Sequence, residues 1–100
     1  MMYHVSMQKR WHVYMVRCRD GSLYTGITTD IKKRIATHNT GKGAAYTRSR
    51  KPVVLIWTRP AKSESLARKR EAKIKTWSKQ EKEAFILTHQ RPSTEHFMIK

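Results

Sequence analysis

Residues 11–28 read Trp-His-Val-Tyr-Met-Val-Arg-Cys-Arg-Asp-Gly-Ser-Leu-Tyr-Thr-Gly-Ile-Thr, and this stretch predicts a β-hairpin. Trp11 to Cys18 is rich in Val, Tyr, Trp and Met, a composition typical of a strand. Ser22 to Thr28 predicts a second strand, and Arg19-Asp20-Gly21 lies between the two as a turn signal. The register of this hairpin determines which of its side chains can meet.

The length of the hairpin loop determines whether Tyr14 and Tyr24 lie together. A two-residue loop, Asp20-Gly21, would put the two tyrosines on opposite faces of the sheet. A three-residue loop would place Gly26 opposite Tyr14 and bring both rings diagonally onto one face. Such a loop favours a left-handed conformation at its last residue, where Gly21 stands. We therefore predict the three-residue loop, with Gly26 leaving room for a phosphate or a helix to approach.

The rest of the chain predicts three helices and one more strand. Thr29-Asp30 is a helix N-cap signal, and Gly41 is a suitable stop for that helix. Val53 to Thr58 is a nearly continuous apolar run, which predicts a strand covered on both faces. Two further helices are expected, one capped by Ser63 and the other by Ser78. The expected fold class is α+β, with a small three-stranded, mainly antiparallel sheet flanked by helices in the order β-β-α-β-α-α.

The length of the chain, 100 residues, fits one domain with a modest core. We place an N-terminal extension at residues 1–10, the domain at 11–87 and a flexible, polar tail at 88–100. Cys18 is the only cysteine, so no internal disulfide can form, and we expect a reducing, cytoplasmic setting near the nucleoid. We expect a monomer, and the sequence does not identify any protein that recruits it.

The charge of the chain points to a polyanionic partner. Lys and Arg number 22 against 7 Asp and Glu, a formal net charge of +15, which attracts polyanions from solution. Part of this charge lies in Gly41 to Lys51, which we call the basic loop. We expect nucleic acid as the partner. An acidic membrane surface is the rival, but no long helix with a clean apolar face supports it. A third interpretation is that the charge only maintains solubility.

The first helix carries two polar residues on its predicted apolar stripe. Ile31, Arg34, Ile35 and His38 fall at positions i, i+3, i+4 and i+7. Burial of the two isoleucines turns Arg34 and His38 towards the sheet. Arg34 then either extends its head out of the core or binds phosphate in a fork. His38 is either a hydrogen-bonded core residue or part of a site with Arg34 and the tyrosines.

The second long helix contains a candidate carboxylate, Glu71. An inward stripe of apolar residues would place Glu71 at the flank of the buried face; the stripe consists of Leu66, Ala67, Ile74 and Trp77. Glu71 is either a surface residue in a salt bridge or the ligand of a magnesium ion that keeps most of its waters. Arg70 falls nearer the centre of the face, and only a place in the same site would explain it. The histidines and the cysteine lack zinc-ligand spacing.

These residues, taken in order, resemble the GIY-YIG nuclease domain in its small single-domain bacterial form, the YhbQ-like proteins. His12-Val13-Tyr14 stands where the family has Gly-Ile-Tyr, and Tyr24-Thr25-Gly26 where it has Tyr-Ile-Gly. Arg34 matches the arginine of the family's first helix, and His38 matches the position one turn later. Glu71 matches the metal-binding glutamate.

The resemblance covers about Trp11 to Phe85. The loop from Asn39 to Arg48 looks like that of the subfamily and of a eukaryotic nuclease that cuts branched DNA. The chain also departs from the family's pattern, with His12 for the first glycine, Ile27 where the excision-repair relatives have lysine, and no asparagine after Glu71. These departures leave a second interpretation open, a non-catalytic nucleic-acid-binding module on the same fold.

The resemblance implies a metal-dependent endonuclease that hydrolyses phosphodiester bonds in DNA, in particular branched or damaged DNA in repair or recombination. It implies magnesium or manganese bound by Glu71, with Arg34 stabilising charge on the phosphate. Tyr24 would take a proton from the attacking water, His38 is the alternative base, and Tyr14 would position phosphate or water. Phenols are poor bases at neutral pH, so nearby cations must assist. Residues of the basic loop would grip the nucleic acid, namely Lys42, Tyr46, Arg48, Arg50 and Lys51.

Overall fold

The structure is a computed structural model that describes residues 10–89, and it contains a three-stranded sheet and four helices in that range. The strands are β1 (Trp11–Arg17), β2 (Leu23–Thr28) and β3 (Val54–Ala61), and the helices are α1 (Ile31–Asn39), α2 (Ala45–Arg48), α3 (Glu64–Lys75) and α4 (Lys79–Thr88). The sheet is antiparallel in the order β2-β1-β3, which confirms the predicted α+β class. The sequence did not predict α2, a single turn inside the basic loop.

The predicted domain bounds remain predictions. Residues 1–9 of the predicted extension and 90–100 of the predicted tail lie outside the described residues. In the part of the chain that the structure describes, no helix has the length and apolar character needed to cross a membrane.

The hairpin has the predicted three-residue loop. Tyr14 pairs with Gly26, and Val16 pairs with Tyr24. The loop closes through the amide of Cys18, which donates to the Ser22 carbonyl at 2.8 Å. Its last residue, Gly21, has φ +87°, the left-handed conformation that glycine adopts without a steric penalty. The register therefore puts both tyrosines on the same side of the sheet.

The central strand is β1, which is covered on both faces. Val13, Tyr14, Met15 and Val16 are each at most 1% exposed. Val13 and Met15 pack in a core cluster with residues of α3 and α4. Tyr14 and Val16 pack on the other face with Tyr24 and residues of α1. We call this second side of the sheet the tyrosine face.

The prediction that β3 is covered on both faces is wrong. Because β1 pairs with both other strands, β3 lies at an edge of the sheet, and its Val54 is 61% exposed. Pro60 fits this position because an edge strand can tolerate a residue without an amide donor. A run of apolar residues is thus compatible with an edge strand when helices cover only part of it.

The prediction that Gly26 leaves an open gap in the sheet is wrong. A Cβ at position 26 would lie 2.6 Å from the hydroxyl oxygen of Tyr14 and 2.8 Å from its ring. The space that the missing side chain vacates is filled by the Tyr14 ring itself. Gly26 is therefore needed to let Tyr14 lie across β2, not to admit a phosphate or a helix.

The helices begin at the predicted caps. Asp30 accepts from the amide of Lys33 at 3.1 Å, Ser63 caps α3, and Ser78 caps α4 in a complete capping box. These side chains satisfy amide groups that the first turn of each helix leaves without a partner. The three helices are therefore specified locally by their first turns.

The buried stripe of α3 is centred on Ala67 and Ile74. Leu66 is 39% exposed, so its predicted inward position is wrong. The reason is geometric: Leu66 lies about 100° around the helix from Ala67. Glu71 lies at the flank of the stripe, as predicted. Arg70 donates to the carbonyl of Pro60 at 3.4 Å and so ties α3 to β3 instead of reaching the tyrosine face.

Candidate active site

The two tyrosines meet on the tyrosine face, as the register predicts. The ring centroids of Tyr14 and Tyr24 are 6.4 Å apart. Tyr14 is only 1% exposed, whereas Tyr24 is partly exposed. Of the two phenols, Tyr24 is therefore the one that a substrate can reach directly.

Arg34 is held against Tyr14. Ile31 and Ile35 pack against the cluster of the tyrosine face, which turns Arg34 inwards, and its Nε donates to the Tyr14 hydroxyl oxygen at 3.3 Å. This hydrogen bond is the main cause that raises the pKa of Arg34, and the charges of Tyr14 and Tyr24 add to it. A guanidinium fixed at Nε presents its terminal nitrogens in a set direction, which suits fork binding of a phosphate.

His38 is fully buried at the centre of a hydrogen-bonded chain. Its Nε2 lies 2.8 Å from the Tyr14 hydroxyl, and its Nδ1 lies 2.8 Å from the Thr47 hydroxyl. One arrangement of protons satisfies all these groups: the Thr47 hydroxyl donates to the Ala44 carbonyl at 3.0 Å and accepts from Nδ1 of His38. In this arrangement Tyr14 donates to Nε2. The chain runs from Arg34 through Tyr14 and His38 to Thr47.

At the centre of this hydrogen-bonded series, burial favours the neutral forms of Tyr14 and His38. Burial, followed by the charge of Arg34, lowers the pKa of His38. Burial also raises the pKa of Tyr14, against the opposing effects of the Arg34 hydrogen bond and charge. Because His38 is buried with both nitrogens bonded, this geometry does not support its predicted role as the base that meets water. His38 instead holds the Tyr14 hydroxyl in place through a hydrogen bond.

Gly43 lets the basic loop close over His38. A Cβ at position 43 would lie 2.9 Å from the His38 Cα and would overlap its imidazole ring. Real Cβ atoms do not approach other atoms that closely, so any larger residue at position 43 would displace the loop or the ring. The loop then continues into α2, which carries Thr47 to the imidazole.

We expect the protein to lose stability as the pH falls through the range in which unfolded histidine titrates. The folded pKa of His38 lies below its unfolded value of 6.5, so the unfolded chain binds the proton first. The contribution of neutral His38 is fully present above pH 6.5 and is lost as the pH falls towards the folded pKa. Urea denaturation at pH 7.5, 6.5 and 5.5 should show this decline.

The contribution of His38 can be isolated by substitution. His38→Asn should show a smaller decline in unfolding free energy over the same pH range, whatever its absolute stability. His12→Asn, which removes a histidine from the start of β1, should keep the wild-type decline. Equal declines in wild-type protein and His38→Asn would show that His38 is not the group responsible.

Glu71 approaches the site from α3. Its side chain is 19% exposed, and Oε2 lies 3.1 Å from Nζ of Lys75. The same Nζ lies 5.8 Å from the centroid of the Tyr24 ring. The charge of Glu71 also makes a minor contribution to the raised pKa of Tyr14. The structure thus brings together the five predicted residues, namely Tyr14, Tyr24, Arg34, His38 and Glu71.

The donor set at Glu71 suits a hard cation. Within residues 10–89, no three side chains of His, Cys, Asp or Glu converge as a metal-binding group. A single carboxylate fits magnesium, which keeps several waters and binds through one or two carboxylates plus substrate phosphates. It does not fit a structural zinc ion, which needs four protein ligands.

Two of the predicted nucleic-acid contacts hold the basic loop in place. The rings of Tyr46 and Tyr24 stack with centroids 6.0 Å apart. The Arg50 guanidinium lies 4.0 Å from the Tyr46 ring centroid and also pairs with Asp20 of the hairpin loop at 3.1 Å. Tyr46 and Arg50 therefore join the basic loop to the hairpin. The other three predicted contacts are exposed and suited to meet phosphates, namely Lys42, Arg48 and Lys51.

Three residues of the site were missed by the sequence reasoning. Lys75 follows Glu71 at i+4, a spacing that predicts an ion pair on a helix and was a usable signal. Thr47 and Gly43 carry no such signal. A threonine and a glycine in a basic loop are ordinary, and only the folded loop shows that both contact His38.

The chain belongs to the GIY-YIG catalytic domain family. The family's sequence model matches residues 10–84. This range contains the hairpin, the basic loop and all five candidate site residues. Within this family, the chain is most readily compared with small proteins of the UPF0213 group.

Two curated relatives illustrate that similarity. The chain is 56% identical over 71 residues to a UPF0213 protein of Staphylococcus haemolyticus, which covers 71% of this chain and 87% of the relative. It is 52% identical over 75 residues to a UPF0213 protein of Halobacterium salinarum, and this match covers 75% of this chain and 97% of the relative. The match therefore covers most of each relative's length.

Two solution NMR structures share the fold. A UPF0213 protein from Bacillus halodurans is 40% identical, with a TM-score of 0.55, and the match covers 84% of this chain and 89% of that one. A protein from E. faecalis is also 40% identical, with a TM-score of 0.57, and the match covers 81% of this chain and 86% of that one. The sheet order and the helices described above are thus those of a small, recurring domain.

Proposed function

We propose that this protein cuts phosphodiester bonds in nucleic acid as a metal-dependent endonuclease. The observation that carries the proposal is the Tyr14 hydroxyl, which accepts from Arg34 and donates to His38. These bonds hold a guanidinium near Tyr24, a partly exposed phenol. Glu71, a partly exposed carboxylate, adjoins Tyr24 through Lys75. A fixed cation, a phenol and a metal-binding carboxylate are groups used in phosphoryl transfer.

The exposure of each residue suggests its role. Tyr24, Arg34 and Glu71 are partly exposed, so these three would meet the substrate. Tyr14 and His38 are buried, and we assign them to positioning: together they hold Arg34 at a fixed place. The role of Tyr14 thus becomes support of the guanidinium, where the sequence had suggested contact with phosphate or water.

Hydrolysis requires water to attack phosphorus while one P–O ester bond breaks. A magnesium or manganese ion held by Glu71 would supply Lewis-acid stabilisation of the scissile phosphate. Arg34 neutralises the charge that develops on the non-bridging oxygens. Tyr24, acting as a phenolate, takes the proton of the attacking water. The leaving oxygen takes its proton from solvent.

Nucleic acid would reach the site along the basic loop. Lys42, Arg48 and Lys51 are exposed on a loop that is joined to the catalytic residues through Thr47 and His38. Phosphate contacts of this kind orient a nucleic acid without reading its sequence. The similarity of the loop to that of a nuclease that cuts branched DNA makes branched DNA the first substrate to test.

Purified protein on a panel of substrates tests the proposal. Single strands, duplexes, flaps and four-way junctions of DNA and RNA are incubated with magnesium, with manganese or with EDTA. We expect metal-dependent cleavage of at least one DNA substrate and none in EDTA. Tyr24→Phe should lose cleavage and keep binding, since only the hydroxyl is removed. Cleavage that persists unchanged in EDTA would contradict the metal requirement.

We expect nucleic-acid binding to depend steeply on salt through the basic loop. Each phosphate contact contributes about 0.9 to the slope of log affinity against log salt concentration. Replacing Lys42, Arg48 and Lys51 together by alanine should therefore flatten the slope by roughly two to three units. Arg50 is left unchanged because it holds Asp20 and Tyr46. Fluorescence anisotropy with a labelled DNA between 50 and 200 mM salt, roughly the range over which such contacts are measured, gives the slope.

A second triple variant controls for net charge. Lys62, Lys69 and Lys73 are exposed in and just before α3, and changing all three to alanine removes the same charge elsewhere. This control should alter the slope less than the loop variant. If the two variants flatten the slope equally, the basic loop is not the principal DNA surface.

A further inference from the structure

Lys75 lies between two groups of the proposed site. It is the last residue of α3, one turn after Glu71, and its Nζ is 3.1 Å from Oε2 of that carboxylate. The same ammonium is 5.8 Å from the centroid of the Tyr24 ring. No role in the mechanism described above requires a lysine at this position.

The ion pair between Lys75 and Glu71 is not needed to hold the helix together. Single pairs at i,i+4 contribute little to the stability of a helix, and the Lys75 side chain is half exposed, so its ammonium can return to water, whereas that of Glu71 is only 19% exposed and keeps a need for a cation. Lys75 also lies in the last turn of α3, where a positive charge is favourable with or without a carboxylate partner. The ammonium can therefore leave Glu71 at small cost.

A divalent metal on Glu71 would displace the Lys75 ammonium. The ammonium and the metal compete for one carboxylate, and two cations held on the same group repel each other at contact distance. An ammonium displaced from Glu71 stays tethered by its four-carbon stem next to Tyr24, the side from which substrate would arrive. There it lacks a counter-ion, and a phosphate oxygen can supply one.

We propose that Lys75 is a phosphate-binding residue. Its charge is neutralised by Glu71 until a metal ion takes the place of the ammonium on that carboxylate, so the inference rests on the metal site proposed above. Metal binding then releases a cation for the substrate, and substrate binding removes a repulsion that opposes the metal. The two ligands bind cooperatively through one side chain, and by linkage each strengthens the other by the same factor.

Lys75→Met tests the proposal without measuring cleavage. Methionine keeps an unbranched apolar side chain and removes the charge. In the absence of nucleic acid, calorimetric titration should show about fivefold tighter binding of manganese, because the competing ammonium is gone. Lys73→Met removes the same charge two residues earlier from an exposed position and should leave manganese affinity close to wild type.

Binding of a labelled DNA strand supplies the second measurement. With calcium as the probe metal, Lys75→Met should bind the strand about fivefold more weakly than wild type, through loss of one unscreened charge contact. In EDTA the weakening should be smaller, because Lys75 stays on Glu71 and makes no phosphate contact, so the variant differs only by the uncovered charge of Glu71. A lysine with a purely structural role would not make the effect depend on metal.

The outcomes separate this inference from the proposed function. Manganese binding at Glu71 that is the same in wild-type protein and Lys75→Met would overturn the inference and leave the nuclease proposal standing. Equal weakening of DNA binding with and without calcium would overturn it too. Manganese binding that is identical in wild-type protein and Glu71→Gln would remove the metal site and the inference together.

Discussion

Glu71→Gln should reduce cleavage at least about a thousandfold while nucleic-acid binding stays equal or becomes tighter. Glutamine keeps the shape of the side chain and removes the charge that would hold the metal. The stabilisation that a metal supplies amounts to several kcal/mol, and about 1.4 kcal/mol corresponds to a factor of ten in rate. Loss of a negative charge beside a phosphate also reduces repulsion. Single-turnover cleavage with magnesium measures the rate, and anisotropy in EDTA measures the binding effect of the lost charge.

Glu64→Gln is the matched control for this change. Glu64 lies on the same helix and pairs with Arg68 on an exposed surface, so the variant should cleave at the wild-type rate. If wild-type protein shows no metal-dependent cleavage on any substrate, and Glu71→Gln changes neither cleavage nor binding, the protein is better described as a non-catalytic nucleic-acid-binding module.

Arg34→Ala should lower the cleavage rate about a hundredfold to a thousandfold, the usual effect of removing one group that stabilises transition-state charge. It should also weaken nucleic-acid binding, since the guanidinium contacts the phosphate in the proposed complex. Arg34→Lys keeps the charge but lacks the fork and the Nε–H that reaches Tyr14. We expect it to recover binding and to recover little of the rate.

Lys33→Ala controls for the loss of charge on α1. Lys33 is the neighbouring residue, and its side chain is exposed, so its removal should affect the salt dependence more than the rate. Circular dichroism establishes that each variant is folded, because Arg34 also bonds to the buried Tyr14. A rate within twofold of wild type for Arg34→Ala would mean that Arg34 is a structural residue whose head only satisfies the tyrosine.

The hairpin and α1 show how far local sequence information reaches. Gly21 and the alternation of side chains predicted the loop length, the register and the shared face of Tyr14 and Tyr24, and the register is confirmed. The spacing of Arg34 and His38 on the stripe of α1 predicted their approach to that face. These features depend on turn chemistry and on the periods of strand and helix, which act over a few residues.

The misjudged features depend on neighbours far along the chain. The apolar run Val53 to Thr58 predicts a strand covered on both faces, but that cover depends on which elements pack against it, and β3 lies at the edge of the sheet with Val54 exposed. Gly26 looked like an opening, but the Tyr14 ring from the paired strand fills it. For Arg50, which stays a predicted nucleic-acid contact, no local pattern indicated the ion pair that the folded loop makes with Asp20, thirty residues earlier.

Turn chemistry and side-chain periodicity were sufficient to predict the fold class, the register of the hairpin and the residues that meet on the tyrosine face. The hydrogen bonds among those residues depend on contacts between distant segments. At Gly43 the basic loop closes over His38 and brings the Thr47 hydroxyl to Nδ1, while Nε2 bonds the Tyr14 hydroxyl beside Arg34. Hydrogen bonds between separate segments depend on how loops pack, and no local period of the sequence records that packing.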